Sequence, residues 1–164
     1  MKGNKEMKTS TLDKHITKYC KKFGIKKVIS SNEFAYTPNN EIITYTMYIY
    51  DNDLNFIELV NRKYSCDIRP LYFIFCLLHE IGHHMTFEDL TAEDIQNDLI
   101  CRQIVIPNIE DEERQGQAYI NLFAERLATE WALNYIQTHF EECVKIQKRF
   151  LRILAHYTKK ERGK

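Results

Sequence analysis

The residues best suited to chemistry form the run His79-Glu80-Ile81-Gly82-His83, an H-E-x-x-H pattern. On an α-helix, residues four apart lie on one face, so both imidazoles can bind one metal ion. Glu80 lies about 100° further round the helix, where its carboxylate can take a proton from water at that metal. The pattern indicates a catalytic zinc site with His79 and His83 as ligands and Glu80 as general base. The competing interpretation is a pair of core histidines with Glu80 as their salt-bridge partner.

A catalytic zinc site needs a third protein ligand, and two glutamates on a later helix are candidates. Glu125 shares its helix face with small residues that include Ala128 and Ala132, which would let the two helices approach closely. Glu130 has Arg126 four residues before it, a spacing typical of a solvated ion pair. We therefore expect Glu125 rather than Glu130 to be the third ligand.

Other polar side chains near the motif have weaker claims. Cys76 precedes His79 by three residues on a similar face, and we interpret it as a core thiol. His84 is a further possible ligand, although its position next to His83 turns it away from the ligand face. The donor that would stabilise an oxyanion stays open among four residues: Tyr119, Tyr135, His84 and His139.

The sequence patterns of the elements that must position these residues predict one α+β domain over residues 1–164. We expect an N-terminal helix in 1–25, a small antiparallel sheet in 26–66, metal-site helices in 70–139 and a basic C-terminal helix in 141–164.

Periodicity sets the bounds of these elements. Helices are predicted over 11–23, 117–139 and 141–157, and from Pro70 through an apolar run that ends at the histidine motif. Strand patterns include Thr44–Tyr50, whereas the segment Leu54–Asp67 fits a short helix or a strand. Gly24 is expected to end the first helix.

Composition excludes several classes of protein. The 164 residues fit one domain, and 23 basic residues balance 23 acidic ones, so the whole molecule has no net charge to attract nucleic acid. Five scattered cysteines without a C-x-x-C pair indicate reduced thiols. With no signal-peptide core, and with a longest apolar run, Leu71–Leu78, that is too short to cross a membrane, we expect a soluble, cytoplasmic protein.

The residues around the motif and the later helix, Phe123–Ile136, carry a family resemblance. The H-E-x-x-H segment followed by Glu125, Ala128, Trp131 and Ala132 resembles the ImmA/IrrE zinc metallo-endopeptidases. The resemblance covers about residues 40–136 and implies a zincin-like fold, Zn²⁺ as cofactor, Glu125 as zinc ligand and Glu80 as catalytic base.

The same resemblance implies a protein or peptide substrate, such as a helix-turn-helix repressor of a phage or mobile element. The chain departs from many zincins at Thr129, where an acid or amide is common, and in the length of chain between the ligands.

Three functions remain open from the sequence. The first is hydrolysis of a peptide bond in a protein substrate, and the second is a catalytically silent zincin fold that regulates by protein–protein binding. The third is a nucleic-acid binder that uses the N-terminal lysines and the basic tail, although such faces are usually only solvated. The acidic segment 88–113, with nine acidic residues and one basic residue, Arg102, is a possible lid over the site. Oligomeric state has no signal in the sequence.

Overall fold

A computed structural model describes residues 11–46 and 51–162, with side chains over 11–46 and 54–156. The chain is mostly helical with one small sheet, the α+β class that the sequence predicts. The helices are α1 Thr11–Lys21, α2 Asp51–Tyr64, α3 Tyr72–Thr86, α4 Ala92–Ile100, α5 Glu112–Ile120, α6 Phe123–Thr138 and α7 Phe140–Arg162. The strands are β1 Lys27–Ser30, β2 Ala35–Thr37 and β3 Ile42–Tyr45.

The sheet is mixed, so the prediction of a purely antiparallel sheet is wrong. Its order is β1-β3-β2, with β1 parallel to β3 and β2 antiparallel to β3. The chain passes from β1 to the far side of the sheet and returns through the turn Pro38–Asn40 into the central strand. Strand patterns in a sequence show which residues are extended but not which strands become neighbours.

The predicted strand Thr44–Tyr50 is shorter in the structure. It ends with β3 at Tyr45, and Met47–Tyr50 lie outside the described residues. Of the segment Leu54–Asp67, which fitted either a helix or a strand, the part up to Tyr64 is helical and belongs to α2, so the sheet region does not extend to residue 66.

The predicted long helix over 117–139 is two helices. α5 ends at Ile120 and α6 begins at Phe123, with Asn121 and Leu122 between them. The Asp98 carboxylate of α4 accepts hydrogen bonds from the backbone N–H groups of Phe123 and Ala124, each at 2.8 Å. This side chain supplies acceptors that the first turn of α6 otherwise lacks. The apolar periodicity of the sequence does not indicate the break between α5 and α6.

Helix α3 occupies the centre of the core and packs most extensively on α6. Seven consecutive residues from Phe73 to His79 are buried, as expected for a helix that is apolar on every side. The turn Arg69–Leu71 leads into it and places Pro70 just before the first helical turn. The backbone N–H of Ile74 donates to the buried Gln147 Oε1 of α7 at 2.9 Å, which satisfies one free donor of that turn.

The predicted terminal helices are present as α1 and α7, and α1 ends before Gly24, whose φ of +83° suits glycine. No helix in the described part of the chain has the length and apolar character to cross a membrane.

Candidate metal centre

Three side chains from two helices meet at the packed face between α3 and α6. His79 Nε2 lies 3.0 Å and His83 Nε2 lies 3.5 Å from the same oxygen, Glu125 Oε2. The three ligand atoms lie within 4.8 Å of one another. His79 and Glu125 are buried and His83 is partly buried, so the group could bind a metal ion out of bulk solvent.

The chemistry and spacing of these donors fit zinc. Two imidazole nitrogens and one carboxylate form a donor set that occurs at catalytic zinc sites, with one position left for water or substrate. Bonds of about 2.0–2.2 Å in a tetrahedron put neighbouring ligand atoms roughly 3.3–3.6 Å apart. Separations of 3.0 and 3.5 Å between the Glu125 oxygen and the two histidines are close to that value.

The close approach of α3 and α6 depends on Gly82, inside the histidine motif. A Cβ atom at Gly82 would lie 2.5 Å from the carbonyl oxygen of Ala128 and 3.0 Å from its Cα. These are backbone atoms of a fully buried residue, so there is no room for a side chain at position 82. This packing brings the histidine face and the Glu125 face into contact, and it explains why a glycine is accepted inside a helix.

The second oxygen of Glu125 is held by two donors. Arg102 Nη2 donates to Glu125 Oε1 at 2.6 Å, and the Tyr119 hydroxyl donates to the same oxygen at 2.9 Å. The Arg102 guanidinium also lies over the Tyr119 ring, 5.0 Å from its centroid. With Oε1 occupied in this way, Oε2 is the oxygen that faces the histidines.

The break between α5 and α6 makes the Tyr119 contact possible. In one continuous helix, residues six apart would lie about 120° apart around the axis, so Tyr119 and Glu125 would face different directions. Arg102 comes from the single π-helical turn Cys101–Val105 that follows α4. Such turns inside helices are frequent at functional sites.

The far nitrogen of His79 also has a partner. Its Nδ1 lies 3.2 Å from Thr129 Oγ1, and both residues are buried. A metal-binding histidine generally donates its other N–H to an oxygen, which fixes the ring orientation. Thr129, the position where the chain departs from many zincins, therefore supplies an oxygen that can orient His79.

Glu80 lies beside this cluster and is almost completely buried, at 8% exposure. Burial raises the pKa of its carboxyl, the two neighbouring histidines act in the opposite direction, and Glu125 adds to the rise. A raised carboxyl pKa suits a group that must both accept and release a proton near neutral pH.

The ligand residues themselves are electrostatically coupled. Burial opposes ionisation of Glu125, but hydrogen bonds to His79 and His83 hold the pKa of its carboxyl well below the usual range. Burial lowers the pKa of His83, yet contact with Glu125 outweighs this effect and leaves that pKa raised. The carboxylate is thus kept in the charged form that a cation requires.

Two cavities open beside the cluster. One, of about 960 Å³, includes His79, Glu80, Tyr119 and Glu125 in its lining. The other, of about 530 Å³, includes Glu80, His83, Tyr119 and Glu125. The candidate metal centre therefore lies where two cavities meet, which gives an external molecule access to it.

The structure separates the other candidates from the centre. His84 points away, with its Nδ1 2.8 Å from the Tyr36 hydroxyl. Cys76 is buried and lines the larger cavity beside His79, but it is not part of the three-residue group. Glu130 is exposed on α6. Of the residues considered as oxyanion donors, only Tyr119 reaches the cluster through a hydrogen bond to Glu125, whereas the rings of Tyr135 and His139 stack on each other.

The acidic segment 88–113 is largely helical rather than a simple loop. It includes α4, the π-helical turn and the first residues of α5, and it supplies both Asp98 and Arg102. Arg102 was not among the predicted site residues and entered the sequence analysis only as the one basic residue of the acidic segment. Its isolation among nine acidic residues was the signal that it could have a specific carboxylate partner.

No protein-family model, curated protein or solved structure matches this chain.

Proposed function

We propose that the protein is a zinc-dependent endopeptidase of zincin-like fold. The observation that carries the proposal is the meeting of His79 Nε2, His83 Nε2 and Glu125 Oε2 around one point, with Glu80 next to them. Two cavities reach this point, so the cluster differs from a closed structural site.

The proposed reaction assigns one task to each residue. His79, His83 and Glu125 would hold the metal, while Arg102, Tyr119 and Thr129 orient two of these ligands. Bound zinc supplies Lewis acidity, which activates water for attack on a peptide carbonyl. Glu80 accepts the proton from the attacking water and delivers it to the nitrogen of the leaving amine.

The resemblance to ImmA/IrrE enzymes supports the same reaction and extends the proposal to the substrate. We propose a protein substrate, such as a helix-turn-helix repressor of a phage or mobile element. The alternative is a zincin fold that regulates by binding alone, for which Glu80 would have no chemical task.

A Glu80→Gln variant tests the proposal, with Glu88→Gln as a control on an exposed glutamate. Each protein, loaded with zinc, is incubated with a proteome-derived peptide library, and mass spectrometry identifies new termini. Wild type and the control should cleave the library, whereas Glu80→Gln should lose about 10²–10⁴-fold in rate while it keeps its zinc.

Two outcomes would contradict the proposed endopeptidase activity. Cleavage by Glu80→Gln at the wild-type rate would show that the activity belongs to another site or another protein. Zinc-loaded wild type that cleaves neither the library nor a protein partner that it binds would favour the binding module.

A further inference from the structure

Lysine and arginine are distributed unevenly over this molecule, although its net charge is zero. Acidic residues dominate the segment 88–113, whereas α1 and α7 carry an excess of basic residues. α1 contains three lysines and one acidic residue, and residues 140–156 of α7 contain four basic and two acidic residues. Separated charges produce a local potential that the net charge does not show.

Each of these two helices buries its apolar face and turns its basic residues to solvent. The buried face of α1 includes Ile16 and Cys20. The exposed lysines on the opposite face are Lys14, Lys18 and Lys21. The buried face of α7 includes Cys143 and Phe150. The exposed basic residues on the opposite face are Lys145, Lys148, Arg149 and Arg152.

α1 and α7 lie side by side, so these basic residues form one surface. The rings of Tyr19 and Phe150 meet edge to face, with their centroids 6.4 Å apart. Lys22, just after α1, forms an ion pair with Glu142 of α7. Both helices bury their apolar faces in the same core, so their basic sides point outward together. We call the surface made by the seven exposed lysine and arginine side chains of α1 and α7 the basic face.

None of these seven side chains has an ion-pair partner among the described residues. By contrast, Lys22, Lys26 and Arg62 each pair with a glutamate. Like charges on neighbouring helices repel one another, and an anion that contacts both helices relieves this repulsion. The basic face therefore fits a partner that carries several repeated negative charges.

The side chains that accompany the cations indicate which polyanion fits. No large apolar side chain of α1 is exposed, and in the described part of α7 only Phe140, its first residue, is. A helix that lies on a membrane needs an exposed apolar face, and a protein that binds single strands needs aromatic rings for base stacking. Cations without either feature suit the phosphates of a duplex.

The same face favours DNA over RNA. Proteins recognise duplex RNA partly through its 2′-hydroxyl groups, which require polar hydrogen-bonding side chains beside the cations. Between residues 144 and 156 of α7, the exposed positions carry no hydroxyl or amide side chain. The cations alone match phosphate oxygens, which both strands of a DNA duplex present at regular intervals.

We infer that the basic face binds the phosphate backbone of duplex DNA without reading its base sequence. The inference does not depend on the proposed endopeptidase, since none of the seven residues belongs to the metal cluster or to the two cavities beside it. Binding of this kind would place the candidate metal centre near other proteins on the same duplex.

Fluorescence anisotropy of a labelled random-sequence DNA duplex of about 24 base pairs tests the inference with the full chain. The protein should bind in the micromolar range at about 50 mM KCl. The logarithm of the association constant should fall linearly with the logarithm of the salt concentration, with a slope of about −4 to −6, the value for roughly four to seven phosphate contacts. A second duplex of unrelated sequence should bind equally well.

The double variant Arg149→Gln with Arg152→Gln removes two charges from the basic face. At about 100 mM KCl it should bind the duplex about 10–100-fold more weakly, and the salt slope should decrease in magnitude by about 2. Arg62→Gln with Arg114→Gln is the matched control, because it removes two charges from exposed positions on α2 and α5. Glutamine is as good a helix former as arginine, and circular dichroism checks that both proteins are folded.

Lys14→Gln with Lys18→Gln tests the contribution of α1 in the same way. A loss similar to that of the α7 variant supports one face made by both helices. An unchanged affinity shows that α1 does not contribute and overturns the continuous face. Glu80→Gln should bind the duplex as wild type does, because the metal cluster takes no part.

Four results would overturn the inference whether or not the protein cleaves peptides. The first is no duplex binding at low salt, and the second is equal weakening by the α7 variant and its control. The third is tighter binding of single-stranded DNA, of duplex RNA or of vesicles that contain phosphatidylserine. The fourth is salt-sensitive self-association in place of DNA binding, which would show that the acidic segment of a second copy occupies the basic face.

Discussion

The two oxygens of the Glu125 carboxylate have different partners, and this division sets the geometry of the centre. Oε1 accepts from Arg102 and Tyr119, while Oε2 faces His79 and His83. A carboxylate held in this way offers one oxygen to a metal, which leaves a coordination position open for water or substrate.

Arg102→Met is expected to weaken zinc binding by about 10–100-fold, the usual effect of removing a partner of a metal ligand. Because the substitution also removes the charged partner of the buried Glu125 carboxylate, circular dichroism first checks that the variant is folded. Competition with a chromogenic chelator measures the affinity, and Arg114→Met, an exposed arginine of α5, is the control. Equal zinc affinity in Arg102→Met and wild type would show that Arg102 does not position Glu125.

At the residue scale, the sequence predicted the cluster better than its surroundings. The spacing of the histidines and the small residues near Glu125 were enough to select the three side chains that meet. The partners of Glu125 were not predictable, because Arg102 and Tyr119 reach it only through the π-helical turn and the break before α6. Both features depend on tertiary contacts that periodicity does not record.

The helix pair α3 and α6 is the element that carries the centre. The distance between the two helices is set where Gly82 of α3 meets the backbone of Ala128 of α6. Gly82 precedes His83 by one residue, and Ala128 follows Glu125 by three. A change in this contact moves the histidines and the carboxylate relative to each other.

Gly82→Ala should destabilise the protein by about 1–3 kcal/mol, because the new methyl group meets rigid backbone rather than a flexible side chain. Gly116→Ala is the control. The atoms nearest to a Cβ there all belong to the Leu59 side chain, with Cδ1 closest at 2.6 Å, and the end of this flexible side chain can shift. Alanine is favoured over glycine inside a helix, so this control should be neutral or stabilising. Urea unfolding measures the free energy of unfolding of both variants. Equal stability of Gly82→Ala and Gly116→Ala would contradict the packing argument.

The contact of α4 with the start of α6 supports a second prediction. Asp98 is 7% exposed and accepts from two backbone N–H groups of α6. Asp98→Ala should lower the free energy of unfolding by about 1–2 kcal/mol, as the loss of a helix cap does. Asp89→Ala removes an exposed carboxylate nearby and should have little effect. A thermal melt in which both variants match wild type would refute the capping role.

At the scale of the whole molecule, the α+β class and the central apolar helix were predictable, whereas the sheet topology was not. The run from Phe73 onward is apolar on every side, and Pro70 before it and the histidine motif after it favour a core helix. The extended segments, by contrast, carry no signal of which strands become neighbours, and β3 lies between β1 and β2.

The central claim is that His79, His83 and Glu125 hold zinc with one position open. Diffraction from crystals of the purified protein on both sides of the zinc absorption edge tests this directly. We predict an anomalous peak about 2.0–2.2 Å from His79 Nε2, His83 Nε2 and Glu125 Oε2, with water as the fourth ligand. A fourth protein ligand, or no peak and Glu80 paired with a histidine, would contradict it.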